Sequence, residues 1–356
     1  MKILLLGEFS GLHNNLKDGL IELGHEVVIA SAQDGFKKIS VDINFESKLP
    51  SIFKFFGNKV INPILNLSKL KNFDVVQIIN PFEFYSNIIP SSFFIDQIIK
   101  NNNKTFLLAA GSDSYFWRNG KYLLKYGPFE ESLLHDYKSK SHFMESNRSF
   151  EYNKHVVEKV RGVIPIMYEY ELSYRGEGKL LETIPIPINI DKIKYNKNIV
   201  TNKIKVFHGL NRYGFKGTRY VDEAFRYLHN IYPNELELKI EGKLPINKYL
   251  ELLNESNVVI DQVLSHSSGL NGLYALAMGK VVLGGAEPES FKSLGITKSP
   301  VINIKPNKES IIDAIEFLIF NKHIIPQIGD ESRQFIENYH NYILISKRYI
   351  DVWNNN

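Results

Sequence analysis

Two cations four residues apart, Arg212 and Lys216, stand among three glycines in the run His208-Gly209-Leu210-Asn211-Arg212-Tyr213-Gly214-Phe215-Lys216-Gly217. Glycines let a backbone approach a phosphate closely. A guanidinium grips phosphate oxygens in a fork, and an ammonium adds a point charge. A solvated basic loop has the same composition, so on the loop alone the two readings stand level. Asp261-Gln262 closes the apolar run 258–260, a polar pair where a strand should end. Asp113 follows another apolar run in Gly111-Ser112-Asp113-Ser114, where it would orient a hydroxyl of a substrate or cap a helix or turn. His13, at the start of the first expected helix, is a candidate for phosphate or substrate contact and equally an ordinary surface histidine. There is no cysteine, so thiolate chemistry, disulfides and cysteine metal sites are excluded. No two aspartates stand two apart, so a paired-aspartate metal site is not expected.

The elements that must position these residues alternate. Residues 2–6 read as a buried parallel strand. Leu12, Leu16, Leu20 and Leu23 follow at helical spacing, with Gly24 as the helix stop, and 26–30 is again apolar and β-branched. That is a βαβ unit. Strands are expected over 74–79, 105–110 and 163–167, a helix over 88–100, and extended chain over 183–190, where Pro185 and Pro187 disfavour helix. A second series starts near Lys203. Strands are expected at 205–208, 236–240, 258–260 and 280–283, with helices at 218–230, 247–254, 272–278 and 310–320 and a helical end over 330–353. The first strand lacks the Gly-x-Gly-x-x-Gly of a dinucleotide-binding dehydrogenase, carrying only Gly7 and Gly11 nearby.

The 356 residues suit two α/β domains, divided at a Pro/Asn/Lys-rich join into 1–192, 193–335 and a closing helix over 336–356. A net charge of +4 does not argue for nucleic acid. The opening apolar run is too short for a signal peptide, and no apolar stretch approaches the roughly 20 residues of a membrane helix. A cytoplasmic protein is expected. The stretch 51–71 mixes Phe53, Phe55, Phe56, Ile61, Ile64 and Leu65 with Lys54, Lys59, Lys69 and Lys71. It reads first as a helix on the first domain's sheet and second as a basic amphipathic element for an anionic membrane surface.

With these residues in place the chain resembles the GT-B glycosyltransferases, and among them the retaining family 4 type that builds bacterial surface polysaccharides. The resemblance rests on the Gly11 loop with Leu23-Gly24-His25-Glu26-Val27, on Ile184-Pro185-Ile186-Pro187-Ile188-Asn189-Ile190-Asp191, and on the Arg212/Lys216 loop. It rests further on Asp261-Gln262, Gly269-Leu270 and Ala275 to Val282, and on the tail from Phe335 to Trp353. It implies an α/β fold of two facing Rossmann-like domains whose C-terminal helix crosses back to the first. The N-terminal domain would be the acceptor side and the C-terminal one would bind the nucleotide sugar.

The implied activity moves a sugar from a UDP- or GDP-sugar to a glycan or lipid-linked acceptor, retaining and without metal, with possible peripheral contact at the inner membrane. Arg212 and Lys216 would stabilise the leaving diphosphate, with Asp113 as a third catalytic candidate. Gly11, Gly209, Asp261, Gln262, His266, Gly269, Leu270 and Tyr274 would line the donor site and His13 the acceptor side. His266 and Tyr274 occupy the positions of the family's two glutamates eight apart, and Glu287 and Glu289 are candidates to replace part of that chemistry. The competing reading is a catalytically silent GT-B protein that binds a nucleotide or glycan and supports a partner transferase.

Overall fold

The computed structural model describes residues 1–32, 39–48, 50–86 and 92–356. Contacts divide the chain into two units. Unit 1 comprises Met1–Gly120, Phe143–Pro187 and Tyr342–Asn356, and unit 2 comprises Lys121–His142 and Ile188–Asn341. Residues 121–142 group with the later half, and the last helix groups with the first.

Unit 1 is built on six parallel strands: β1 (Lys2–Leu6), β2 (Glu26–Ser31), β3 (Ile43–Asn44), β4 (Val75–Ile78), β5 (Lys104–Ala109) and β6 (Gly162–Pro165). Their order is β3-β2-β1-β4-β5-β6, that of the doubly wound nucleotide-binding sheets. The inner strands are nearly continuous apolar runs because helices cover both faces; Leu4, Leu5, Val76, Leu107 and Leu108 are wholly buried. The chain changes its direction of travel across the sheet between β1 and β4, which opens a crevice at their carboxyl ends.

Helix Leu12–Glu22 starts after Gly11 and stops before Gly24, both at positive φ. Helix Tyr342–Asn355 packs against it at Gly19, where a Cβ would run into the Tyr342 carbonyl and the Ser346 hydroxyl. Lys104 Nζ donates to the Trp353 carbonyl at 2.9 Å and ties this helix to β5.

The stretch 51–71 is not one helix. It breaks into Ser51–Phe56, a π turn Gly57–Ile61, Asn62–Leu65 and a tight turn Leu67–Lys69. Of the helix expected over 88–100, Phe93–Lys100 is observed; residues 88–91 and the Phe55 side chain lie outside the described part.

Unit 2 carries β7 (Ile204–Leu210), β8 (Leu236–Gly242), β9 (Val258–Ile260), β10 (Val281–Gly284) and β11 (Ile302–Asn303), all parallel, in the order β11-β10-β9-β7-β8. Its switch point falls between β7 and β9. Val206, Ile260 and Leu283 from the sheet pack with Val221, Leu228 and Ile315 from helices Thr218–Ile231 and Lys308–Phe320. The edge strand β8 is blunted by the exposed pair Lys239–Glu241.

The expected helical tail is two helices, Ile325–Tyr339 and Tyr342–Asn355. They part at His340-Asn341, where the His340 carbonyl accepts the Ile188 N–H at 2.7 Å. Residues 121–142 lie on unit 2 as short turns, Lys121–Leu123, Phe129–Glu131 and a π turn Ser132–Tyr137. They approach the Arg212 loop so closely that a Cβ on Gly214 would run into the Glu131 carbonyl.

Gly19→Val should cost about 1–3 kcal/mol of stability by overpacking the contact between helices Leu12–Glu22 and Tyr342–Asn355. Gly178→Ala, at a position open to solvent, should be near neutral. Equal urea midpoints for the two variants would contradict this packing.

Candidate functional site

Three loops leave the carboxyl ends of β7, β9 and β10 on one side of the unit 2 sheet. The first carries Arg212 and Lys216, the second Asp261 to Gly269, the third Gly285 to Glu287.

The two cations of the first loop differ. Arg212 is exposed and its guanidinium stacks on the Phe215 ring, 3.7 Å from the centroid. Lys216 is buried, with Nζ 3.8 Å from Asp261 Oδ1. The guanidinium is therefore the group presented to solvent, and the ammonium neutralises a buried carboxylate. Between them runs a short helical turn, Tyr213–Lys216. The amides of its Gly214 and Phe215 donate to the two carboxylate oxygens of Asp136 at 2.9 and 2.8 Å. Those amides are spent inside the protein, so an incoming anion meets the Arg212 side chain rather than this backbone. Glu131 holds the same stretch through a forked pair with Arg219, 2.7 Å at its shorter contact.

The second loop is organised by Asp261, almost wholly buried. Its Oδ2 accepts the Gly269 N–H at 2.8 Å, just before helix Leu270–Ala277. Gly272 lies directly over it, since a Cβ there would stand 2.8 Å from Oδ2. A Cβ at Gly269 would strike the Gln262 amide. The first-turn N–H groups of this helix lack intrahelical acceptors, which makes its start, with half-buried Leu270, an anion-binding end. Tyr274 lies half-buried on the same helix.

His266 is buried and lies flat on the Tyr126 ring, centroids 4.2 Å apart at 14°. Gly209 has a packing reason, because a Cβ there would stand 2.8 Å from the Tyr249 ring. His208 is buried at the end of β7. Its Nδ1 donates to the Ile260 carbonyl at 2.9 Å and its Nε2 accepts from Thr218 Oγ1 at 3.0 Å. Burial first, then the nearby Lys216 charge, pushes its pKa down to about 3.

The third loop centres on Glu287. Its Oε1 accepts the Tyr126 hydroxyl at 2.6 Å, the Asn303 amide at 3.1 Å and the Lys305 ammonium. Burial raises the carboxyl pKa, but Lys305, Tyr126 and Asn303 together overcome this and hold it down at about 2. Glu289 pairs with Lys125.

In unit 1 the expected contacts turn inward. Glu8 bridges the start of helix Leu12–Glu22: Oε1 accepts the Gly11 N–H at 2.8 Å and Oε2 the Asn14 N–H at 2.9 Å. The amide of Gly11, expected to face the donor, is thus given to a carboxylate of the chain itself. His13 is buried, with Nδ1 donating to the Gly7 carbonyl at 2.7 Å and Nε2 3.3 Å from the Gln77 amide. Burial lowers its pKa to about 4, outweighing the Gly7 bond, so it is a neutral core group rather than a surface contact.

Asp113 is also enclosed. It accepts the Tyr174 hydroxyl at 2.6 Å and the Phe116 N–H at 2.8 Å, the capping arrangement. Burial raises its pKa to about 6 against those bonds. Sequence reasoning passes over Glu8, Tyr126, Asp136, Asn303 and Lys305. The signal for Glu8 is an acid between the end of a strand and a helix start. Tyr126 and Asp136 carry none, since nothing local shows which half residues 121–142 join.

Among the described residues no three His, Cys, Asp or Glu side chains stand together as a metal-binding set, and no helix is long and apolar enough to cross a membrane.

No family model matches the chain, and no curated protein matches it in sequence. Solved structures match over its whole length. HepE from Anabaena in complex with UDP-glucose superposes with a TM-score of 0.65 at 12% identity, covering 100% of both chains. Sucrose-phosphate synthase from Thermosynechococcus elongatus gives 0.65 at 12%, covering 100% of this chain and 99% of that one. A glycosyltransferase from Rickettsia africae gives 0.57 at 14%, covering 99% and 98%.

The fold is GT-B. In unit 2 Arg212 is exposed on the loop after β7 and Asp261 takes the Gly269 N–H before helix Leu270–Ala277, and in unit 1 Glu8 takes the Gly11 and Asn14 N–H groups.

The pH dependence of stability follows from His208. Its pKa is about 3 in the folded protein against the ordinary imidazole value of about 6.5, so between these the unfolded chain binds more protons. Stability therefore rises with pH through that window and is lost as pH falls. His208→Gln should reduce the slope of unfolding free energy between about pH 4 and 5.5 by about 1.4 kcal/mol per pH unit, one proton's worth. His13 and Asp113 contribute equally to both proteins and cancel in the difference. Identical slopes from urea titrations would contradict the buried neutral imidazole.

Proposed function

We propose that this protein is a glycosyltransferase whose unit 2 binds a nucleoside-diphosphate sugar, with UDP as the first candidate nucleotide and GDP as the second. The observation that carries the reading is the β7/β9 crevice, where Arg212 and the start of helix Leu270–Ala277 are available to an anion in a chain of GT-B fold. Sugar transfer from such a donor develops negative charge on the departing diphosphate. Arg212 supplies a forked positive group there, and the helix start supplies oriented N–H dipoles. Lys216 acts through Asp261, pairing with that carboxylate beneath the helix start. Gln262 and Tyr274 are the candidate contacts to the rest of the nucleotide. HepE with UDP-glucose, at matched length, supports the choice of UDP.

The finer reading is that transfer is retaining and metal-independent, with the departing phosphate taking the acceptor's proton. The acceptor is a glycan or lipid-linked saccharide of bacterial surface-polysaccharide synthesis, held by unit 1. A lipid-linked acceptor would bring the protein to the cytoplasmic face of the membrane. Exposed Phe53 and Leu65, in a stretch that also carries exposed Lys69 and Lys71, support that contact. Asp113 and His13 are proposed to shape the unit 1 crevice from inside its core.

Thermal unfolding without metal tests the donor reading. UDP or GDP at 100 times its dissociation constant should add about 2.7 kcal/mol of stability to the natural protein. Arg212→Ala should abolish that shift at the same concentration and lower transfer about 100-fold or more. The reading fails if no nucleoside diphosphate or nucleotide sugar stabilises the natural protein.

A further inference from the structure

The loop after β10 holds a carboxylate built asymmetrically. Glu287 is buried, yet its three hydrogen bonds all arrive at Oε1, from Tyr126, Asn303 and Lys305. Among the described residues none donates to Oε2. A carboxylate kept for structure alone would be expected to spread its donors over both oxygens, because each carries two lone pairs and an ionised carboxylate only accepts. Here one oxygen is saturated and the other is left to a donor from outside.

Its position is fixed on three sides. The Glu287 N–H donates to the His266 carbonyl at 3.0 Å. A Cβ on Gly285 would run into the Ser265 carbonyl, so the third loop lies against the Asp261–Gly269 loop. Asn303 Oδ1 accepts the Ala286 N–H at 3.0 Å, bracing the loop from β11. Tyr126 comes from residues 121–142. It covers His266 with its ring and bonds Glu287 with its hydroxyl, and the neighbouring Lys125 pairs with Glu289.

We propose that Glu287, primed by Tyr126, is the carboxylate that accepts a hydroxyl of the sugar carried by the nucleotide, so that it reads the sugar and not the nucleotide. The assignment rests on the nucleotide-sugar reading of unit 2. Tyr126 is a positioning residue: it fixes the rotamer that leaves Oε2 open. His266 contributes its backbone carbonyl to the loop and its ring to the stack with Tyr126. The ligand class is a neutral hexose or similar polyol, whose hydroxyl donates to an ionised carboxylate.

The test compares dissociation constants for matched pairs by calorimetry: UDP with UDP-glucose, UDP-galactose and UDP-N-acetylglucosamine, and GDP with GDP-mannose. For the sugar that the natural protein prefers, Glu287→Gln should weaken the nucleotide sugar about 10- to 100-fold, the loss of one charge-assisted hydrogen bond. Affinity for the bare diphosphate should stay within about twofold. Glu287→Asp, which keeps the charge but withdraws it, should lose the same discrimination, and Tyr126→Phe should lose part of it. Equal weakening of diphosphate and sugar, or unchanged discrimination in Glu287→Asp, would overturn the assignment while leaving the donor reading intact. A natural protein that binds none of the diphosphates would overturn both.

Discussion

Asp261 sits beneath the start of helix Leu270–Ala277, binds the Gly269 N–H with one oxygen and faces the Lys216 ammonium with the other. A buried carboxylate is costly unless it is paired and hydrogen-bonded, and here both conditions draw separate loops together. Lys216 belongs to the loop after β7, Asp261 to the loop after β9, and Gly272 must lack a side chain for the helix to rest on the carboxylate. This pair sets the shape of the unit 2 crevice. Arg212 remains at the surface on the Phe215 ring, while Lys216 is turned inward.

The same economy recurs in the molecule. Glu8 fills the start of helix Leu12–Glu22, and Asp136 fills the turn after Arg212. Backbone amides that would bind an external anion are satisfied internally in both places. The two crevices at the carboxyl ends of the sheets are therefore chemically unlike, although both follow the doubly wound plan. Unit 1 presents a helix start already neutralised by its own acid. Unit 2 presents one where, among the described residues, Asp261 takes the Gly269 amide alone, with the exposed Arg212 guanidinium on the loop after β7. On the proposed reading this difference, more than the strand order, is what suits unit 2 and not unit 1 to a diphosphate.

Much of the fold is legible in the sequence because parallel strands covered on both faces must be short apolar runs; β1, β5, β7, β9 and β10 stand out for that reason. Strands β3 and β11, of two residues each, carry no such pattern. Helix Asn147–Lys159 escapes because its buried stripe is narrow and partly polar, including Ser149 and Asn153. The Arg212 loop is legible as a cation-bearing loop, but the different fates of its two cations depend on Asp261, 45 residues beyond Lys216. His13 and Asp113 read as candidates from their places at element ends. Only packing reveals that both point into the core. Residues 121–142 could not be assigned to unit 2 by any local rule, since their anchors are Gly214, Arg219, His266 and Glu287.

Amide hydrogen exchange in the presence of saturating UDP tests the central claim most directly, because it reports which helix start takes the diphosphate. The account predicts slowed exchange in residues 270–274, with Gly214 and Phe215 unchanged because Asp136 already holds their amides and Gly11 and Asn14 unchanged because Glu8 holds theirs. Protection of residues 8–16 with none at 270–274 would contradict it.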